Sequence, residues 1–166
     1  MVIHGTRKFL DRVGGPSATD VATTTSALGS WYATVLFWRP QVALLVNETT
    51  LLPLLMPFAP SATLLGRFPD ALATVLEAHR VPAPVIEQEV AAAGTCVLAR
   101  TRDRSVVGVM TEFGHLAEVR RDGAADLVGL SVQLARTPTS PLYKSYISPE
   151  GALAALVQAH QRRTDP

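Results

Sequence analysis

Residues 99–108, Ala-Arg-Thr-Arg-Asp-Arg-Ser-Val-Val-Gly, concentrate the charged chemistry of this chain. Arg100, Arg102 and Arg104 alternate with Thr101 and Asp103, and Ser105 closes the run before apolar residues take over. Guanidinium groups grip phosphate or carboxylate through paired hydrogen bonds, and a serine hydroxyl adds a further donor. A strand ending near Thr101 and a helix opening near Ser105 would aim backbone N–H groups and a positive dipole end at the same spot. The expectation is an anion or phosphate site at the 100–105 turn. The competing reading is structural. Asp103 is a good helix N-cap whose own charge would fill that dipole end, and Arg100 and Arg102 share one face of a strand, from which both can extend into water. No GxxxxGK[ST] is present, which excludes a nucleoside-triphosphate cradle of that type.

Asn47 and Glu48 form the second candidate, because they follow a continuous apolar run, and α/β-type sites lie beyond strand ends. Glu48 could serve as a general base if burial raised its pKa. Together with Arg104 it makes the alternative reading, a small enzyme acting on a polar or phosphorylated small molecule. In the structural reading Asn47 caps the next helix and Glu48 favours its first turn. Glu112-Phe113-Gly114-His115 has the spacing that places two metal ligands on one helical face. It stands alone: His4, His79 and His160 are scattered, and no HExxH or Cys/His cluster exists, so neither a metal nor a cofactor is expected. Ser105 lacks a G-x-S-x-G elbow. Trp31, Tyr32, Phe37 and Trp38 beside Arg39 can stack bases, or can fill a core or a subunit interface.

The bulk composition narrows the classes. A chain of 166 residues suits one domain with a continuous core, and 48% hydrophobic against 17% charged residues excludes a disordered chain. So apolar a composition suggests spare surface that self-association would hide, so a homo-oligomer, dimeric in the simplest case, is a candidate state. A formal net charge of +1 gives no global basic field, and a nucleic-acid partner is unsupported. The single cysteine, Cys96, rules out a disulfide within the chain and points to a reducing cytoplasm. Among small and apolar neighbours it reads as a minor hydrophobe rather than a nucleophile. Residues 49–66 carry no charge, save that Pro53, Pro57 and Pro60 interrupt them, so no membrane span is expected. The N-terminus places charges where a signal peptide needs its apolar centre.

These residues need elements to hold them. Met1–His4 predicts a first strand, and Thr6 a cap for a helix over Arg7–Val13 with Phe9, Leu10 and Val13 on one side. Gly14–Ser30 reads as loop. The runs flanking Arg39-Pro40 predict a strand pair, of which Val42–Val46 is continuously apolar and therefore central. Thr50–Met56 is expected as a short helix. Ala62–Arg80 carries Leu65, Phe68, Leu72, Val75, Leu76 and His79 at helical spacing, and VPAPV at 81–85 reads as an extended stop. A strand over Cys96–Thr101 leads to a helix from about Ser105 to Val119. Helices over Ala124–Arg136 and from Pro149 to about His160 complete the chain. The fold class expected is α+β: one compact domain over residues 1–166, a small mixed sheet with a central hairpin, about five or six helices, and a frayed C-terminus.

Several ordered stretches carry a resemblance: GTRKFLDRV, SWYATVLFWRPQVALLVNETTLLPLLMP, LLGRFPDALATVLEAHRVP, LARTRDRSVVGVMTEF and LARTPTSPLYKS. Together they resemble an uncharacterised family of small bacterial proteins, a domain of unknown function. Members often carry Asn-Asp after the methionine, where this chain has Thr111-Glu112. The resemblance implies a bacterial cytoplasmic protein of one domain, and it implies no activity or ligand. Three functions are carried forward: a binding module with an anion site at Arg100–Ser105, the small enzyme, and a protein-interaction module of a defence or toxin–antitoxin type.

Overall fold

A computed structural model describes residues 1–17, 26–142 and 144–164. Val2–Gly5 forms β1, a short strand with every residue buried. It pairs in parallel with β2 (Trp31–Leu36) on one side and β5 (Val97–Arg100) on the other. β3 (Val42–Asn47) and β4 (Pro53–Pro57) extend the sheet antiparallel, in the order β4-β3-β2-β1-β5. Six α-helices cover this sheet among the described residues, so the molecule is the expected α+β domain with a mixed sheet.

Strand alternation divides the core into two layers. Ile3, Trp31, Ala33, Leu45 and Leu54 face α1 (Arg7–Val13), α2 (Leu64–Ala78) and α3 (Ala83–Ala93). Tyr32, Leu44, Val46 and Leu55 face α4 (Arg104–Arg120) and α5 (Leu127–Ala135). The last helix, α6 (Pro149–Thr164), gives Leu153 and Val157 to the first layer and Ala152 to the second. β3 is buried at every position, as its unbroken apolar run requires. On the first layer the Trp31 ring meets Phe68 edge to face, with centroids 5.7 Å apart. The α2 stripe lands as its spacing predicts, with Phe68, Leu72, Val75 and Leu76 all buried.

Two expectations are overturned. Thr50–Met56 is not a helix. The Asn47 side chain accepts the N–H groups of Thr49 and Thr50, which bends the chain at once, and Leu51 takes a left-handed φ of 58°. The apolar residues beyond then pair with β3 as β4, with Leu54 opposite Leu45. Proline at both ends of β4 is tolerable on an edge strand. The outward N–H of Leu55 is taken instead by the Ser131 hydroxyl of α5, at 2.9 Å. The extended stop at 81–85 fails as well, because α3 begins inside it. Pro82 occupies the cap and Pro84 the first turn, where no N–H is needed for the helix ladder. The Gly14–Ser30 loop is irregular over 14–17 and 26–30; its residues 18–25, and residues 165–166 of the end expected to fray, lie outside the described residues.

Candidate functional site

β1 and β5 lie side by side and point the same way, yet the chain leaves them on opposite faces of the sheet. From β1 it turns through Thr6 into α1 on the first layer; from β5 it turns into α4 on the second. Such a divergence leaves a crevice outside the carboxyl ends of the two strands, the usual place for a ligand in open α/β sheets. Here the crevice measures about 500 Å³ and is lined by Gly5, Arg7, Leu10, Asp11, Gly15, Pro16, Arg100 and Thr101. Gly5 makes the close approach of α1 feasible: a Cβ there would stand 2.8 Å from Leu10 and Phe9 side-chain atoms. The Thr6 N–H donates to the Ala33 carbonyl, and its own carbonyl receives Phe9 and Leu10 N–H to open α1. Its hydroxyl is not used as a cap; it donates to Thr34 Oγ1 at 3.1 Å.

The six residues singled out in the sequence are divided by the structure into four groups. Arg100 points into the crevice, exposed, with its side chain making no ion pair among the described residues. Arg102 folds back over the second layer and pairs with Glu48, Nη2 to Oε1 at 3.5 Å. Glu48 thus meets Arg102 and not Arg104. Asp103 is the N-cap of α4, its carboxylate accepting from Ser105 N at 2.8 Å and Val106 N at 3.4 Å. That charge occupies the helix start, and Arg104 and Ser105 stand exposed beside it. Asn47 is wholly buried and structural: its amide donates to the Leu28 and Ser30 carbonyls, and its oxygen accepts Thr49 N, Thr50 N and the Thr50 hydroxyl.

Beneath the 101–105 turn sits a pair that sequence reasoning passed over. Tyr32 is fully buried, and its hydroxyl accepts the Asp103 N–H at 3.2 Å. Burial raises its pKa above the ordinary 10.0, the Glu48 charge adds to the rise and Arg102 opposes it, so the phenol stays protonated. The His4 ring lies against Tyr32, with centroids 4.8 Å apart, and its Nδ1 is 2.9 Å from the Arg100 carbonyl. That carbonyl can only accept, so Nδ1 carries the proton. The one available signal was parity, since His4 and Tyr32 pair across β1 and β2 and therefore point the same way.

The other candidates resolve as structure. Glu112 and His115 are exposed on α4, and no group of three metal-ligating side chains exists among the described residues. Cys96 donates to the Ala93 carbonyl, and burial pushes its thiol up to about 11, the opposite of an activated nucleophile. His79 is buried on the α2 stripe with Nδ1 3.4 Å from Glu150 Oε1; burial lowers its pKa and Glu150 resists the change. The aromatic run is divided: Trp31 and Tyr32 fill the two layers, while Phe37 and Trp38 reach the surface. Among the described residues no helix is long and apolar enough to cross a membrane.

Compared with curated proteins and with solved structures, the sequence finds no match in either set. A family model described as a domain of unknown function, DUF6933, matches residues 2–152, and the chain belongs to that family.

Proposed function

We propose that this protein is a small bacterial cytoplasmic binding module that holds an anionic ligand, phosphate-bearing in the simplest case, in the crevice between the carboxyl ends of β1 and β5. The single observation behind this reading is the meeting of Arg7 and Arg100 across an open crevice of about 500 Å³ at the point where the chain diverges. Among the described residues, Asp11 alone offsets that charge from within the lining, 3.9 Å from Arg7 at the surface. A ligand approaching Arg100 leaves the Asp103 cap of α4 intact, which an anion seated on the helix start itself would have to displace. The reading moves the expected 100–105 site to its first residue and releases Arg102, Arg104 and Ser105 from direct contact. The lone cysteine supports a reducing compartment. Dimerisation, the other expectation from composition, has Val119, Tyr146 and Ile147 as exposed apolar side chains to draw on.

The test is thermal unfolding in pyrophosphate against chloride at matched ionic strength. Pyrophosphate should raise the melting temperature saturably. A charge-assisted hydrogen bond is worth about 1.5–3 kcal/mol, so Arg100→Ala should weaken binding roughly tenfold or more. Equal shifts from both salts, or an unchanged response in Arg100→Ala, would refute the site.

A further inference from the structure

A second depression, of about 450 Å³, lies on the other side of Thr6. β1 ends opposite Ala33, three residues before β2 does, so the upper part of β2 is paired with β3 on one side and has no strand on the β1 side. The gap is walled by α1 on one side and α4 on the other, with Val35, Leu36, Val107 and Met110 forming an apolar floor. Phe37 stands at its edge, 54% exposed.

The charges around this hollow are unbalanced. Lys8 Nζ and Arg12 Cζ lie 5.3 Å and 4.7 Å from the Phe37 ring centroid, and neither has a carboxylate partner among the described residues. The acidic groups nearby face other cations: Asp11 lies 3.9 Å from Arg7 at the surface, and Glu118 lies 3.1 Å from Arg121. Arg121 in turn lies over the Trp38 ring at 5.2 Å. Apolar surface makes up most of the lining; Thr111, His115 and Glu118 add polar groups on the α4 side, and the Thr6 and Thr34 hydroxyls bond each other. The site therefore offers flat apolar contact along most of its length and positive charge at the α1 end. Its volume fits a molecule of one or two rings, seated in an open hollow between two helix walls.

We infer that this hollow binds a planar aromatic carboxylate, its ring system laid between Phe37 and Met110 and its anionic group drawn to Lys8. It is a separate site from the crevice at Arg100 and takes a different ligand class, with cation and aromatic wall acting together.

The probe is 2-naphthoate, compared with the neutral 2-naphthalenemethanol, titrated while the two indole N–H signals are followed by NMR. Trp38 lines the hollow and Trp31 is buried in the other layer, so naphthoate should shift the Trp38 signal saturably and leave Trp31 unmoved. Lys8→Gln should weaken naphthoate about tenfold and change naphthalenemethanol less than threefold; Phe37→Ala should weaken both. Arg100→Ala should leave naphthoate binding as it was, which separates this site from the crevice. Both Lys8 and Phe37 are exposed, so neither variant threatens folding, and a melting curve confirms it. Equal affinity for the two probes, an unmoved Trp38 signal, or no saturation at millimolar naphthoate would overturn the assignment.

Discussion

Two polar runs follow strand ends in this protein, and the structure treats them in opposite ways. After β3, Asn47 is fully buried and its amide is saturated from within, by two carbonyls it donates to and three donors it accepts. After β5, Arg100 and Arg104 reach water with no carboxylate against them among the described residues, Arg102 is exposed beside Glu48, and Asp103 is the residue of the run spent on the backbone of α4. Both runs looked alike as chemistry: short, charged or amide-bearing, placed beyond an apolar strand. The difference lies in where the hydrogen-bonding capacity is spent. A side chain filled by its own backbone shapes the fold, and one left open is available to a ligand.

The largest effect that would break this contrast is at Asn47. Asn47→Ala deprives the Leu28 and Ser30 carbonyls of a donor and leaves the Thr50 N–H and hydroxyl without their acceptor, all sealed from water, and frees the more exposed Thr49 N–H. Each buried polar group left unsatisfied costs about 1–3 kcal/mol before relaxation, so a loss of roughly 2–4 kcal/mol is expected by urea unfolding. A loss below about 1 kcal/mol would mean that the turn rearranges freely and that its saturation does not hold the corner.

The legible parts of the fold are those whose cause is local. Thr6 followed by Phe9, Leu10 and Val13 predicts α1 to its last residue, because one apolar side and a turn suffice. The stripe of α2 and the Asp103 cap of α4 are equally short-range. β4 was not legible, since Leu-Leu-Pro-Leu-Leu-Met has no period of its own and takes its conformation from pairing with β3. Nor was Glu89, a wholly buried carboxylate on α3 that accepts the Ala27 and Leu28 N–H groups and the Ser26 hydroxyl. Nothing around it in the sequence names a distant loop as its partner. Of the candidate site, the arginines were visible as types. The crevice was not, because Gly15, Pro16 and Arg7 reach Arg100 only through the order of strands in the sheet.

A smaller effect sharpens the contrast at the other end. Asp103→Ala removes the acceptor for Ser105 and Val106 N–H and should cost about 1 kcal/mol, the usual worth of an N-cap. Asp103→Asn keeps the acceptor oxygen and should lie within a few tenths of the parent protein. If sulfate restores the alanine variant while scarcely affecting the parent, the carboxylate is what keeps anions off the start of α4. Sulfate stabilising the Arg100→Ala variant as much as the parent would return the anion site to the helix start.

The smallest effect expected is at Arg102. Its ion pair with Glu48 spans 3.5 Å with side chains 59% and 28% exposed, so water competes for both groups. Exposed pairs of this kind contribute about 0–1 kcal/mol, and Arg102→Ala should cost at most about 0.5 kcal/mol. The turn keeps its other anchor in the variant, because the Tyr32 hydroxyl still receives the Asp103 N–H from below. A double-mutant cycle with Glu48→Gln isolates the coupling between the two charges. A coupling under about 0.5 kcal/mol places Arg102 with the solvent-facing arginines. A coupling well above 1 kcal/mol would show that the pair pins the turn down, and then the run after β5 is built inward like the one after β3, with Arg100 and Arg104 its only open groups.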